Sequence, residues 1–224
     1  MIAAWMDSTN LKPEARCEDI KILCEEAVYY GMTAVCIHPC RLALGKGYLE
    51  GSGVKLCTVI GFPLGAEDTA TKVFSARQAL GQGANELDMV INIGAVKDGD
   101  FALVKQEIKS LLELRQDYEF LLKVIVETAL IDRIELEILG QIVSESGADF
   151  IKTSTGFSTR GVSLEDIKII KAHKSESLKI KASGGVRSLD FVLQLIDAGV
   201  DRIGSSNAAS LVQEYRQRGG LLKG

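Results

Sequence analysis

The sequence predicts an α/β chain folded as a single (β/α)8 TIM barrel, one domain over residues 1–224. Three observations carry that expectation. Strand-like and helix-like runs alternate eight times in 224 residues, and eight such units in that length argue for a closed barrel over a doubly wound sheet. The strand-like runs are apolar without clean alternation, as in strands covered on both faces. A Gly-Ala-(Asp/Asn)-(Glu/Phe) pattern recurs in GANELDMV and GADFIKTS, with GVDRIG close to both, where a helix end feeds the next strand.

Taken in order, Ile2–Asp7 reads as a weakly marked first strand. Glu14–Tyr30 is helical, with Ile20, Leu23, Cys24, Ala27 and Val28 at helical spacing and Gly31 as the stop. Thr33–His38 reads as a strand, Arg41–Leu49 as a short helix and Lys55–Ile60 as a strand. After the loop GFPLGAEDT, Asp68 or Thr69 caps a helix to about Leu80, ended by Gly81 and Gly83. Glu86–Asn92 is a strand, and Phe101–Arg115 is a helix with Leu103, Val104, Ile108, Leu111 and Leu112 on one side. Phe120–Glu127 is a strand, Asp132–Glu145 a helix and Phe150–Ser154 a strand. Ser163 caps a helix to about His173; Lys179–Ser183 is a strand, and Ser188 caps the helix to Ala198. Asp201–Gly204 is a short strand and Ala208–Arg218 the last helix.

Composition narrows the function. The charged share is 25% and the net charge −4, with no basic tract, which argues against nucleic acid or a membrane surface as partner. No apolar run approaches the roughly 20 residues of a membrane span, and the start MIAAWMDSTNLKP does not read as a signal peptide. Five cysteines (Cys17, Cys24, Cys36, Cys40 and Cys57) form no Cys-x-x-Cys, a usage that fits reduced thiols in a cytoplasmic protein. Cys36-x-His38-x-Cys40 places possible ligands at alternate positions, but Pro39 interrupts the run and His173 is the only other histidine. A metal site is therefore not expected.

Chemistry gathers at the C-terminal ends of the strands in such barrels. Lys123, Lys152 and Lys181 recur at intervals of 29 residues, each in a strand-like run. Asp88 and Asn92 take alternate positions of the preceding strand; Lys123, Glu127, Lys152, Ser154, Lys181 and Ser183 look equivalent on the next three. A carboxylate and several amines would then converge in the barrel mouth. One reading is a structural ion-pair network. The other is Schiff-base chemistry, because a lysine beside a second ammonium in a partly dry cavity has its pKa lowered from about 10.4 and becomes nucleophilic. Lys181 can act on Lys152 in this way, or the reverse, and the spacing leaves the nucleophile open. Strand order favours Lys152, the middle amine, provided that all three lie at similar depth. A second constellation suits phosphate. Ser183-Gly184-Gly185 and Gly204-Ser205-Ser206-Asn207 end successive strands and open helices, with Arg187 at the rim, where such barrels hold phosphate on backbone N–H groups.

These residues sit in stretches that match a known family. TNLKP (9–13), VIGFPLG (59–65), ELDMVINIG (86–94), KVIVET (123–128), FIKTSTGFST (150–159), KASGGVR (181–187) and RIGSS (202–206) resemble deoxyribose-phosphate aldolases in content and order. That resemblance implies a class I aldolase without cofactor or metal. It would interconvert 2-deoxy-D-ribose 5-phosphate with D-glyceraldehyde 3-phosphate and acetaldehyde, in deoxyribonucleoside breakdown. It implies Lys152 as the Schiff-base nucleophile, Lys181 as the lysine that perturbs it, and Asp88 as an acid/base acting through a bound water. Gly156, Gly184, Gly185, Arg187, Gly204 and Ser206 would hold the phosphate, with Ser205 nearby. Lys123 would be a neighbour in the charge network and Cys36 the pocket cysteine that an aldehyde can trap. The partners implied are small-molecule sugar phosphate and aldehyde substrates, with no nucleic acid or membrane, and a homo-oligomer, dimer or tetramer. The chain departs from the family pattern at Ser8 for His, His38 for Asn, Phe157 where some members have Lys, and Arg160-Gly161 for Gly-Gly. It reaches Gly224 without the tyrosine extension of some members. Another lysine aldolase, a transaldolase and a catalytically silent barrel that binds a sugar phosphate or a partner protein are the alternatives, and a metal-dependent aldolase is opposed by a count of two histidines. Asp88 with KTSTGF opposes the first two, and the presence of Lys152 and Asp88 opposes the third.

Overall fold

Eight parallel strands close into a barrel in sequence order, and the last pairs with the first. The computed structural model describes residues 2–220; the end at Gly224, where the sequence shows no tyrosine extension, lies outside them. In chain order the elements are β1 (Met6–Asn10), α1 (Cys17–Tyr30), β2 (Ala34–Ile37), α2 (Leu42–Leu49), β3 (Lys55–Ile60), α3 (Thr69–Gly81), β4 (Glu86–Val90), α4 (Ile93–Lys97) and α5 (Phe101–Leu112). They continue with β5 (Leu121–Ile125), α6 (Arg133–Ser146), β6 (Phe150–Lys152), α7 (Leu164–His173), β7 (Lys179–Ser183), α8 (Leu189–Asp197), β8 (Arg202–Ser205) and α9 (Ala208–Gln217). No helix among the described residues is long and apolar enough to cross a membrane.

Local chemistry explains the boundaries. Side chains of Asp68, Asp100, Asp132, Ser163 and Ser188 accept from backbone N–H groups in the first turns of α3, α5, α6, α7 and α8, which satisfies donors that a helix start leaves free. Gly31 and Gly147 end α1 and α6 with a left-handed backbone (φ 68° and 85°). Expectations shift at several boundaries; β5 and β6 stop at Ile125 and Lys152, which leaves Glu127 and Ser154 past the strand ends. The first strand is Met6–Asn10, preceded by a 3-10 turn over Ile2–Trp5. Apolar content pointed to the wrong half of that segment, since Asp7 to Asn10 are polar but carry the ladder to β2 and β8. Helix α1 starts at Cys17 because Lys12 to Ala15 form a turn, with Ala15 N donating to Lys12 O. Asn92 is not on the strand; β4 stops at Val90 and the Asn92 side chain caps α4, accepting from Ala95 N.

The apolar core lies mainly between strands and helices, built from side chains such as Ile20, Leu42, Leu87, Ile108, Leu139 and Ile203. Inside the barrel the apolar filling is a separate small cluster of Leu11, Ala34, Cys36, Cys57 and Val59 from the β1–β3 side. The charged residues of β4, β5, β6, β7 and β8 share the rest of the interior with side chains such as Phe150, over whose ring Arg202 lies at 5.5 Å.

Candidate active site

Asp88 on β4 is fully buried and accepts from three ammonium groups. Lys123 Nζ on β5 lies 2.8 Å from its Oδ1; Lys152 Nζ on β6 and Lys181 Nζ on β7 lie 2.7 and 2.8 Å from its Oδ2. Lys181 also donates to Asp7 Oδ2 on β1, and Asp7 Oδ1 accepts from Arg202 on β8 at 2.7 Å. Arg202 lies 3.3 Å from Glu86 Oε2, and that oxygen lies 2.6 Å from Lys123 Nζ. Asp88, Lys123, Glu86, Arg202, Asp7 and Lys181 thus form a closed ring of alternating charge. Lys152 joins it through Asp88 alone. Strand periodicity places the ring: Glu86 and Asp88 are two apart on one strand, and Lys181 pairs in register with both Lys152 and Arg202.

Burial opposes ionisation of Asp88, but the ammonium groups of Lys123, Lys152 and Lys181 outweigh it and hold the carboxyl well below the usual range. Asp7 behaves alike: burial pushes it up, Lys181 and Arg202 pull harder, and it falls to about 2. Burial works against charge on Lys181 and Lys123 too. Asp7 and Asp88 overcome it at Lys181, and Asp88 is the chief cause at Lys123, so both stay ammonium above the ordinary lysine range.

The sequence predicted that Asp88 and the amines of Lys123, Lys152 and Lys181 converge; the structure brings the four together, with the carboxylate between the amines. The assumption of similar depth also fails. Lys123 pairs in register with Phe150, and Ile125 with Lys152, so Lys123 sits two residues lower on the barrel wall. The middle position of Lys152 in strand order therefore does not by itself single it out. Ser154 lies just past β6; its carbonyl accepts from Ser183 Oγ at 2.6 Å and its hydroxyl lies 3.4 Å from Thr128 Oγ1. Cys36 is buried, its Sγ 4.0 Å from Asp88 Oδ2, and its register partner Cys57 donates to Asp88 Oδ1 at 3.1 Å. Burial, and the hydrogen bond shared with Cys36, push the Cys57 thiol well up.

Above the ring a cavity of about 360 Å³ opens at the C-terminal end of the strands. Gly156, Gly184, Gly185, Arg187, Gly204, Ser205 and Ser206 all line it, as does Lys152. Lys123, Lys181 and Asp88 do not; they lie buried beneath. Gly184 and Gly185 take successive left-handed conformations (φ 81° and 73°), which turn backbone into the cavity and favour glycine. A Cβ on Gly161 would lie 2.0 Å from Gly184 O, so the two loops pack backbone on backbone. Ser205 Oγ donates to Val186 O and accepts from Asn207 N, joining the loops after β7 and β8.

The departures have local roles. Phe157 lines the cavity and meets Phe62 edge to face at 5.3 Å, and Phe62 in turn meets His38 at 6.2 Å. Arg160 donates to both Asp166 oxygens and to Thr128 O, clamping the loops after β5 and β6. Ser8 is buried in β1, paired with Val35 and Ser205. The Cys36-x-His38-x-Cys40 run does not converge: His38 Nε2 lies 2.9 Å from Leu11 O and Cys40 is exposed. Among the described residues the group able to hold an ion is Cys36, Cys57 and Asp88. A cation there would stand among three ammonium groups, so the donor set fits a metal poorly. Sequence reasoning assigned no role to Asp7, Glu86 or Arg202, which close the ring, nor to Thr9, Asn10 and Lys12, which line the cavity. For Glu86 and Arg202 the available signal was charge inside an apolar strand, the same signal that marks Asp88 and the lysines; the polar run around Asp7 offered none.

A sequence profile described as "DeoC/LacD family aldolase" matches residues 2–216. A deoxyribose-phosphate aldolase of Thermococcus gammatolerans is 46% identical over 217 residues, 96% of each chain. One of Caldicellulosiruptor saccharolyticus is 45% identical over 215 residues, 95% of this chain and 97% of that protein. Among solved structures, a deoxyribose phosphate aldolase from Aeropyrum pernix, described as having a unique tetrameric structure, superposes with a TM-score of 0.90 at 34% identity, covering 97% of this chain and 92% of that one.

Proposed function

Because this chain belongs to the DeoC/LacD family of aldolases, we propose that it cleaves 2-deoxy-D-ribose 5-phosphate reversibly to D-glyceraldehyde 3-phosphate and acetaldehyde through a Schiff base on Lys152, with neither metal nor cofactor. One observation carries the choice of lysine. The ring of three carboxylates and three cations balances without Lys152. Deprotonating Lys123 or Lys181 gives up two ion pairs of the buried ring, whereas deprotonating Lys152 gives up one and leaves the ring intact. Lys152 is also the one amine of the three that lines the cavity.

The neutral Nζ adds to the C1 aldehyde of the open-chain sugar, and loss of water gives the iminium. The C3 hydroxyl then gives up its proton, the C2–C3 bond breaks, and its electron pair moves to the iminium as an enamine. Glyceraldehyde 3-phosphate leaves. Protonation of the enamine at C2 and hydrolysis release acetaldehyde and restore the amine. Asp88, held as a carboxylate, orients Lys152 and serves the proton transfers through a bound water. Lys181, held as an ammonium, supplies fixed positive charge beside the reacting nitrogen. Gly156, Gly184, Gly185, Gly204 and Ser206 meet the phosphate with backbone N–H groups and the N-terminus of α9, Ser205 ties the two loops, and Arg187 adds a cation at the rim. The reaction belongs to deoxyribonucleoside breakdown in the cytoplasm. The tetrameric form described for the Aeropyrum pernix protein supports a homo-oligomer here.

Incubation with acetaldehyde and borohydride, followed by peptide mass mapping, tests the mechanism. The expected result is one ethyl group, on Lys152. An adduct on Lys123 or Lys181 with Lys152 unmodified would sink the assignment.

A further inference from the structure

Two residues beyond β5 the chain turns at Glu127, the one non-glycine residue among those described with a left-handed backbone (φ 53°). Its carboxyl is buried. Oε2 accepts from Thr155 N at 3.1 Å and from Thr155 Oγ1 at 2.5 Å. Thr155 Oγ1 in turn accepts from Phe157 N at 3.1 Å. The other oxygen, Oε1, is the single buried side-chain nitrogen or oxygen among the described residues without a hydrogen-bond partner. A reversal of the chain needs only glycine or asparagine in this conformation, and neither would bury a carboxylate oxygen unpaired. Turn formation therefore does not account for a glutamate here. Its grip on Thr155 does.

Thr155, Gly156 and Phe157 all line the cavity, three to five residues beyond Lys152. Gly156 rests on the loop after β7: a Cβ on it would lie 3.8 Å from Gly184 Cα. Where Thr155 sits thus decides how the glycine loops after β6 and β7 face each other. Arg160, donating to Thr128 O at 2.6 Å one residue beyond Glu127, places a cation near the buried carboxylate.

We propose that Glu127 is a positioning residue for the phosphate end of the substrate: through Thr155 it fixes the 155–157 segment against Gly184 and sets the spacing of the N–H groups that receive the anion. This rests on the phosphate site proposed above. The test compares 2-deoxyribose 5-phosphate with unphosphorylated 2-deoxyribose, and measures binding of inorganic phosphate by calorimetry. Glu127→Ala removes the grip. It should raise KM for the phosphorylated sugar, and Kd for phosphate, about tenfold or more, while kcat/KM for deoxyribose stays within about threefold. Glu127→Asp pulls the oxygens back by one methylene and should shift both in the same direction by less, so it decides the matter if the alanine variant does not fold. Glu127→Gln keeps an acceptor for Thr155 and should restore phosphate selectivity to within about threefold of wild type. Equal losses on both substrates, or a glutamine variant as impaired as alanine, would overturn the inference alone. A wild-type enzyme that does not discriminate between the two sugars would overturn the phosphate site and the inference with it.

Discussion

Asp7 shows how a single buried carboxylate ties stability to pH. Its folded pKa, about 2, lies below its ordinary 3.8, because Lys181 and Arg202 prefer it ionised. A lowered carboxyl contributes stability in full above its unfolded pKa and loses it as pH falls through the folded one. The contribution, about 2–3 kcal/mol for a shift of that size, should therefore disappear between about pH 4 and pH 2. In urea unfolding across that window, Asp7→Asn should be less stable than wild type at pH 6 yet lose less on acidification; parallel pH profiles would contradict the ring geometry. Asp7 also marks where sequence reading ran short at this scale. Lys152, Lys181 and Asp88 stood out because charge is costly inside an apolar run. Asp7 sits among Ser8, Thr9 and Asn10, where a carboxylate looks solvated until the ladder to β2 and β8 places it inside.

Among the elements, α3, α5 and the end of β4 are joined by a second buried ion pair, remote from the ring. Lys72 Nζ donates to Glu107 Oε1 at 2.6 Å and to Val90 O at 2.9 Å, while Glu107 Oε2 accepts from Asn92 N at 3.0 Å. Both side chains are almost fully buried, so loss of one partner strands a charge. Lys72→Met should cost about 3–5 kcal/mol. Adding Glu107→Gln, which keeps an acceptor for Asn92 N, should recover most of it. A double variant no more stable than the single one would show that the cost lies in packing. Neither residue was singled out beforehand, since at their helical positions Lys72 and Glu107 look like ordinary surface charges. Most elements were legible, because apolar runs and caps such as Asp68, Ser163 and Ser188 are local signals. Helix α4 was not: five residues are too few to show a period, and its cap, Asn92, passed for a strand residue.

For the molecule as a whole, the eightfold alternation was enough to give barrel closure, and the glycine loops after β7 and β8 gave the cavity. Depth around the barrel was not readable, because register follows from strand tilt and stagger rather than from intervals along the chain; equal spacing of Lys123, Lys152 and Lys181 concealed a two-residue offset. The ring also behaves like a parity check written across β1, β4, β5, β7 and β8. Three positive and three negative symbols balance, so deleting any one is detected as an error, whereas deleting an adjacent pair passes. Lys152 is the appended bit that the check does not need. Lys152→Leu should therefore abolish catalysis while leaving stability within about 1 kcal/mol of wild type or above it. Lys123→Leu, which strips Glu86 and Asp88 of a shared partner, should lose about 3–5 kcal/mol. Chemical denaturation of the two variants side by side decides it, and equal destabilisation would mean that the code has seven symbols rather than six. Should Lys152→Leu keep its stability as expected, the proposed nucleophile is a residue that selection for folding alone does not retain.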